Sequence, residues 1–226
     1  MSLPNLLTLF RLFSAPVFLA LFIGSGQDGF LRETLSPSAG LWACLIVLIL
    51  SEVSDVLDGI IARRWNQVSD FGKLLDPYAD STFRLSCFFA FASHAHGKWI
   101  PLWMVMVMLY RDLLVTVIRT FGVERRVFVH ARASGKIKAV AQGGAAFAVL
   151  VVALWMGGTH GTVAPIAVKL MWLVTIVTVW SGLDYFWANR HLFAGTQTAR
   201  PVVPATESRT PDAVNAGSSS QTPPNA

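Results

Sequence analysis

Charge is what this chain lacks most. Of its 226 residues only 14% are charged, 54% are hydrophobic, and the mean hydropathy is +0.53. Soluble domains carry about 25% charged residues, so the balance excludes an ordinary soluble fold and implies a polytopic membrane protein. Cysteine is nearly absent. Cys44 and Cys87 both lie inside apolar runs, which speaks against a disulfide pair or a thiolate metal site and leaves them as small core or lipid-facing residues. No basic stretch precedes the first apolar run and no convincing cleavage site follows it. That run is therefore expected to remain as a span and not to be removed as a signal peptide. The formal charge of +5 suits anionic lipid headgroups and anionic substrates; no nucleic-acid partner is expected.

What is present is a series of apolar runs. The length allows about six spans of roughly 20 residues with short loops, placed near 7–24, from 41 into a polar motif near 64, from 71 to 92, at 100–121, at 135–155 and at 163–187. The expected fold is all-α, a polytopic membrane protein with six transmembrane helices over residues 1–193. Pro16 falls inside the first span, where neighbouring helices can satisfy the freed backbone groups. Arg11 also lies inside it, and either snorkels to the headgroups or meets a substrate phosphate. His94 and His96, in a short loop, read as polar loop residues and not as a metal pair. Gly143 and Gly144 mark an expected tight packing point. Trp187 marks an interfacial belt. From residue 194 to 226 the chain turns to Thr, Pro, Ser, Ala and Asn without apolar periodicity, the composition of a disordered tail.

Basic residues orient the spans. Arg63, Arg64, Lys73, Arg119, Arg125, Arg126, Arg132, Lys136 and Lys138 fall in or beside the connections after spans two and four, whereas the opposite loops hold little beyond Arg32 and Lys98. The positive-inside rule then places both termini and these connections in the cytoplasm.

Four carboxylates interrupt the apolar pattern between spans two and three. Asp55 and Asp58 are spaced i,i+3, and Asp76 and Asp80 are spaced i,i+4, so on helices each pair shares a face. Acids in or near a bilayer are costly and mark function by default. Brought together they repel, and a divalent cation relieves them; all-oxygen ligands favour Mg²⁺, Mn²⁺ or Ca²⁺ over zinc. Arg63 adds a planar fork suited to phosphate. Gly59, Ala62 and Gly72 are small enough for close approach of a helix or a flat ligand. Metal, arginine and small residues together suggest a phosphate-rich substrate. An ion path through the membrane is the competing class, disfavoured because all four acids belong to one cluster at one face.

The spacing D-x2-D-G-x2-A-R-x8-G-x3-D-x3-D, filled here by Asp55, Asp58, Gly59, Ala62, Arg63, Gly72, Asp76 and Asp80, resembles the signature of the CDP-alcohol phosphatidyltransferases. The resemblance implies transfer of a phosphatidyl group from CDP-diacylglycerol to an alcohol, with release of CMP. It implies a divalent metal, Mg²⁺ or Mn²⁺, on Asp55, Asp58, Asp76 and Asp80, with Asp80 as general base. It places Gly59, Ala62, Arg63 and Gly72 at the CDP, diacyl tails in a lipid-open groove among membrane lipids, and two copies in a homodimer of a bacterial inner membrane. The opening from Leu3 to Arg11, and the stretch Arg111-Asp112 to Arg119 followed by Gly135-Lys136-Ile137-Lys138, are similar to the members that make phosphatidylglycerol phosphate. That similarity implies glycerol 3-phosphate as acceptor, its phosphate on Arg111, Arg119, Lys136 and Lys138. Inositol phosphate or serine is the alternative acceptor, and an inactive scaffold the alternative outcome. Two positions depart from the pattern: Asp112 stands where those members usually have Glu, and Ser81 where Lys is common.

Overall fold

A computed structural model of the chain describes residues 3–65, 70–124, 132–157 and 160–192. Six helices follow one another: α1 (Leu3–Gly24), α2 (Pro37–Trp65), α3 (Asp70–Ala92), α4 (Leu102–Glu124), α5 (Ala133–Trp155) and α6 (His160–Asn189), the last closed by a 3-10 turn at Arg190–Leu192. Among the described residues there is no strand. The expected tail from residue 194 lies outside the described residues.

Helix starts follow local chemistry. α2 begins at Pro37, whose missing N–H costs nothing in a first turn, and the Ala39 N–H donates to Ser36 Oγ at 3.3 Å, as an N-cap requires. This carries the helix four residues ahead of the expected start of its span. In α1, Pro16 sits on an exposed position, and Ser14 Oγ donates to the Phe10 carbonyl at 2.8 Å.

Four helical stretches are long and apolar enough to cross a membrane: Asn5–Gly24, Pro37–Leu57, Ala133–Trp155 and Thr162–Leu192. The other two helices, α3 and α4, have 23 residues each, about 34 Å at 1.5 Å per residue, so length does not set them apart. Charge does. The α3 sequence carries Asp70, Lys73, Asp76, Asp80 and Arg84, and α4 carries Arg111, Asp112, Arg119 and Glu124.

α1 packs on α2 and α3, while α6 packs on α4 and α5; α2–α5, α3–α4 and α3–α5 contacts join the two sets. The α1–α3 contact is aromatic. Phe18, Phe22, Phe83 and Phe91 are all 1% exposed or less, and meet edge-on at centroid distances of 5.6 to 6.3 Å. Outward faces carry exposed Phe13, Ile46, Trp103, Trp172 and Leu183, as a lipid-facing surface requires. Cys44 and Cys87 are buried and unpaired in this core.

The expected polar loop at His94–Lys98 is half wrong. His94 is exposed, but His96 is buried, edge-on to Phe22 at 4.7 Å and tilted against Trp99. Its Nε2 donates to the Phe22 carbonyl at 3.0 Å. Burial holds the His96 imidazole below its ordinary 6.5, against the opposing pull of that carbonyl. The loop closes because Gln27 N–H donates to the Ala95 carbonyl at 2.8 Å, tying the first loop to the third.

Candidate active site

α2 and α3 are separated in sequence by residues 66–69, yet among the described residues they have no Cα pair within 8 Å. Each leans instead on α1 and on α5. A narrow cleft remains between them, lined by Arg11, Ser51, Glu52, Asp55, Asp80, Phe83 and Arg84.

α1 supplies the clamp. Arg11 is 2% exposed, and its Nη1 lies 3.0 Å from Asp55 Oδ1 and pairs also with Asp80 Oδ1. Thr8, three residues earlier and so on the same face, donates to Asp76 Oδ1. Ser54 Oγ donates to the Leu7 carbonyl at 3.3 Å. One turn of α1 therefore touches Asp55, Asp76 and Asp80. The inward course of Arg11 removes the snorkelling alternative.

Three of the four expected acids are thus brought to one place. The side chains of Asp58, Gly59, Ala62, Arg63 and Gly72 lie outside those described, though the backbone there is helical. Among the described residues no three acidic, histidine or cysteine groups close into a metal cluster. Instead a guanidinium bridges two of the carboxylates.

Two further charged residues line the cleft that spacing alone did not single out. Glu52 precedes Asp55 by three residues, on the same face of α2, and Arg84 follows Asp80 by four on α3. Arg84 Nε lies 3.9 Å from Glu52 Oε1, and its Nη2 lies 3.9 Å from Asp80 Oδ2. Both distances exceed hydrogen-bond reach. α5 approaches Glu52 through Gly143, where an added Cβ would come to 3.1 Å from the carboxylate. This is the expected packing point; Gly144 faces open space. The signal that would have found Glu52 and Arg84 is the one that found the aspartates, a charge inside an apolar run.

A second cluster adjoins the cleft. Asp112 Oδ1 takes Arg111 Nη1 at 3.1 Å and Lys138 Nζ at 2.5 Å, and its Oδ2 accepts from Ser81 Oγ at 3.0 Å. Arg111 Nη2 donates to Ser181 Oγ at 2.6 Å. Gly182 lets the arginine lie flat on α6, since a Cβ there would stand 3.0 Å from Arg111 Cγ. All three charged side chains are nearly buried, at 6 to 12% exposure. Of the four expected acceptor contacts, Arg111 and Lys138 are therefore brought together. The other two go elsewhere: Arg119 Nε donates to the Tyr185 hydroxyl at 3.2 Å, and Lys136 is exposed on α5. Arg132 and Ser134 pin the start of α5 to Asp184 of α6 at 2.8 and 2.7 Å.

The sequence profile of the CDP-alcohol phosphatidyltransferases matches residues 1–180. The chain belongs to this family. Within it, the CDP-diacylglycerol–glycerol-3-phosphate 3-phosphatidyltransferase of Sodalis glossinidius (strain morsitans) is 31% identical over 193 residues, covering 84% of this chain and 96% of the relative. The transferase of the same name from Escherichia coli (strain K12) is 32% identical over 191 residues, covering 84% and 95%. A phosphatidyltransferase must hold a pyrophosphate and an alcohol side by side, and an acidic cleft beside a cationic cluster suits that need. Family membership also disposes of the ion-path alternative.

Proposed function

We propose that this chain transfers the phosphatidyl group of CDP-diacylglycerol to glycerol 3-phosphate, giving phosphatidylglycerol phosphate and CMP. The observation that carries the reading is the meeting of Asp55, Asp76 and Asp80 on one turn of α1, beside the Arg111–Asp112–Lys138 cluster. The names of the two relatives point to the same acceptor.

In this reading the carboxylates accept a divalent cation. The donor set fits: it is all oxygen, and Asp55 and Asp80 already turn toward one shared positive charge, that of Arg11. Asp55, Asp58, Asp76 and Asp80 would hold Mg²⁺ or Mn²⁺, which when bound neutralises the pyrophosphate and the departing CMP. Gly59, Ala62, Arg63 and Gly72 contact the CDP. Asp80 takes the proton from the acceptor hydroxyl. That oxygen forms a bond to the lipid-side phosphorus, the bond joining the two phosphates breaks, and CMP leaves with the electron pair. Arg111 and Lys138, with Arg119 and Lys136 at the rim, draw in the acceptor's phosphate. A cationic pocket favours a phosphorylated alcohol over serine.

The setting we propose is a bacterial inner membrane crossed by all six helices, with the cleft open to the cytoplasm and acyl chains in a lipid-facing groove. Two copies form a homodimer, and residues 194–226 form a disordered tail. Asp76, Asp80 and Arg84 of α3 and Arg111 and Asp112 of α4 face other charged or polar side chains inside the bundle, which makes spanning by these helices tolerable.

Separate Asp55→Asn, Asp76→Asn and Asp80→Asn variants test the site. Each is expected to remain folded in detergent and to lose CMP release by a factor of roughly 10² or more. Full activity in any one of them removes that residue from the site.

A further inference from the structure

Arg84 makes no hydrogen bond among the described residues, although its side chain is only 12% exposed. Its Nε is fully buried without a partner. A guanidinium carries five donors, and leaving the buried one unbonded is costly. The two carboxylates near it, Glu52 and Asp80, stand at 3.9 Å. They balance its charge and leave its N–H groups open. The Nε of Arg111 is likewise buried and unbonded. Ser81, three residues before Arg84 and so on the same face of α3, donates to Asp112, which places Arg84 beside the Arg111–Asp112–Lys138 cluster. The unbonded donors of Arg84 and Arg111 call for an acceptor, and a planar fork matches the oxygens of a phosphate.

We propose that Arg84 is a third cationic ligand for the phosphate of the acceptor alcohol, set one helical turn beyond Asp80 and held in the cleft by Glu52. The proposal rests on the reading of the Arg111–Lys138 cluster as the acceptor side of the site. It also gives meaning to Ser81. That side chain points at Asp112, so a lysine at 81 would deliver its charge to the same cluster. This chain has serine there, and places the cation one turn further along α3.

The test is steady-state kinetics of Arg84→Met with glycerol 3-phosphate and CDP-diacylglycerol varied in turn. Loss of a charged hydrogen bond predicts a rise in KM for glycerol 3-phosphate of roughly tenfold or more, with KM for CDP-diacylglycerol within about twofold. Arg84→Lys is expected to recover part of the loss. Ser81→Lys in the Arg84→Met background is expected to recover part as well, which a purely structural arginine would not allow. If Arg84→Met does not fold, Glu52→Leu with Arg84→Leu removes both charges and takes its place. An unchanged KM for glycerol 3-phosphate in a folded variant overturns the proposal, as does a rise confined to CDP-diacylglycerol. Wild-type protein that releases CMP with no dependence on glycerol 3-phosphate overturns the acceptor reading and this proposal together, a result seen before any variant is made.

Discussion

Ser81 Oγ donates a hydrogen bond of 3.0 Å to Asp112 Oδ2. These are the two positions at which the chain departs from the pattern it otherwise follows, and they touch. A shorter carboxylate at 112 and a shorter side chain at 81 meet between α3 and α4, where Asp112 alone faces Arg111 and Lys138.

Removing that carboxylate leaves two buried cations side by side. Breaking a buried pair by deleting one partner costs about 3–5 kcal/mol. Asp112→Asn is therefore expected to lower the thermal midpoint in detergent by roughly 10 °C. Ser81→Ala, which removes one hydrogen bond of about 1 kcal/mol, is expected to lower it by only a few degrees. Saturating glycerol 3-phosphate should restore part of the Asp112→Asn loss, because a bound phosphate replaces the missing anion. Equal effects of the two substitutions would contradict this balance of charges.

Arg11 is the cation that bridges Asp55 and Asp80, and its loss should matter most when no metal is present. Asp55 and Asp80 are partly exposed, at 38% and 24%, so the cost of Arg11→Met is below the fully buried case, on the order of 1–3 kcal/mol. The expected result is a midpoint several degrees below wild type in EDTA, with the gap narrowing in saturating Mg²⁺ or Mn²⁺. A gap that is the same in both conditions would mean that the guanidinium and the metal do not answer the same charges.

The two-carboxylate spacings made the site legible before any coordinates. Asp55, Asp76 and Asp80 converge because i,i+3 and i,i+4 positions share a helix face, and the six helices follow the apolar runs with ends shifted by a few residues. Arg11 was visible as a charge in a span, but its partners are not. Asp80 lies 69 residues away in sequence, and only the packing of α1 across α2 and α3 makes them neighbours. Glu52 and Arg84 lie one turn outside the motif, before Asp55 and after Asp80, where its fixed spacing says nothing. His96 looked like a loop residue because its aromatic surroundings, Phe22 and Trp99, come from α1 and from beyond the loop's own turn. Arg119 and Lys136 show the opposite limit: Arg119 meets Tyr185 of α6 two turns beyond the place where Arg111 meets Ser181, and Lys136, two residues from Lys138, lies on another face of α5.

His96 gives the fold a pH dependence outside the membrane-spanning segments. Its folded pKa lies below the ordinary 6.5, so the unfolded chain takes up a proton that the native loop refuses. Stability is then fully present above about pH 6.5 and is lost as pH falls toward the folded pKa, by about 1.4 kcal/mol for each unit of separation. The thermal midpoint of wild type should fall between about pH 7.5 and about pH 5.5, and His96→Phe should flatten that part of the slope. An identical slope in the variant would assign the pH dependence to other groups.

Orientation can be read with single cysteines, since Cys44 and Cys87 are both buried and should react slowly. In intact cells, a membrane-impermeant maleimide is expected to label Arg32→Cys and to spare Lys136→Cys until the membrane is opened. The reverse pattern would turn the cleft away from the cytoplasm and from its nucleotide substrate.

The most direct measurement is CMP release by the purified protein in detergent with CDP-diacylglycerol and Mg²⁺ or Mn²⁺, supplying glycerol 3-phosphate, inositol phosphate and serine one at a time, with Asp80→Asn alongside. The proposed reaction predicts release with glycerol 3-phosphate, little with the others, and loss of that release in Asp80→Asn. Release driven by serine or inositol phosphate but not by glycerol 3-phosphate would contradict the proposed acceptor, and a folded protein that releases CMP with none of the three would contradict catalysis by this cleft.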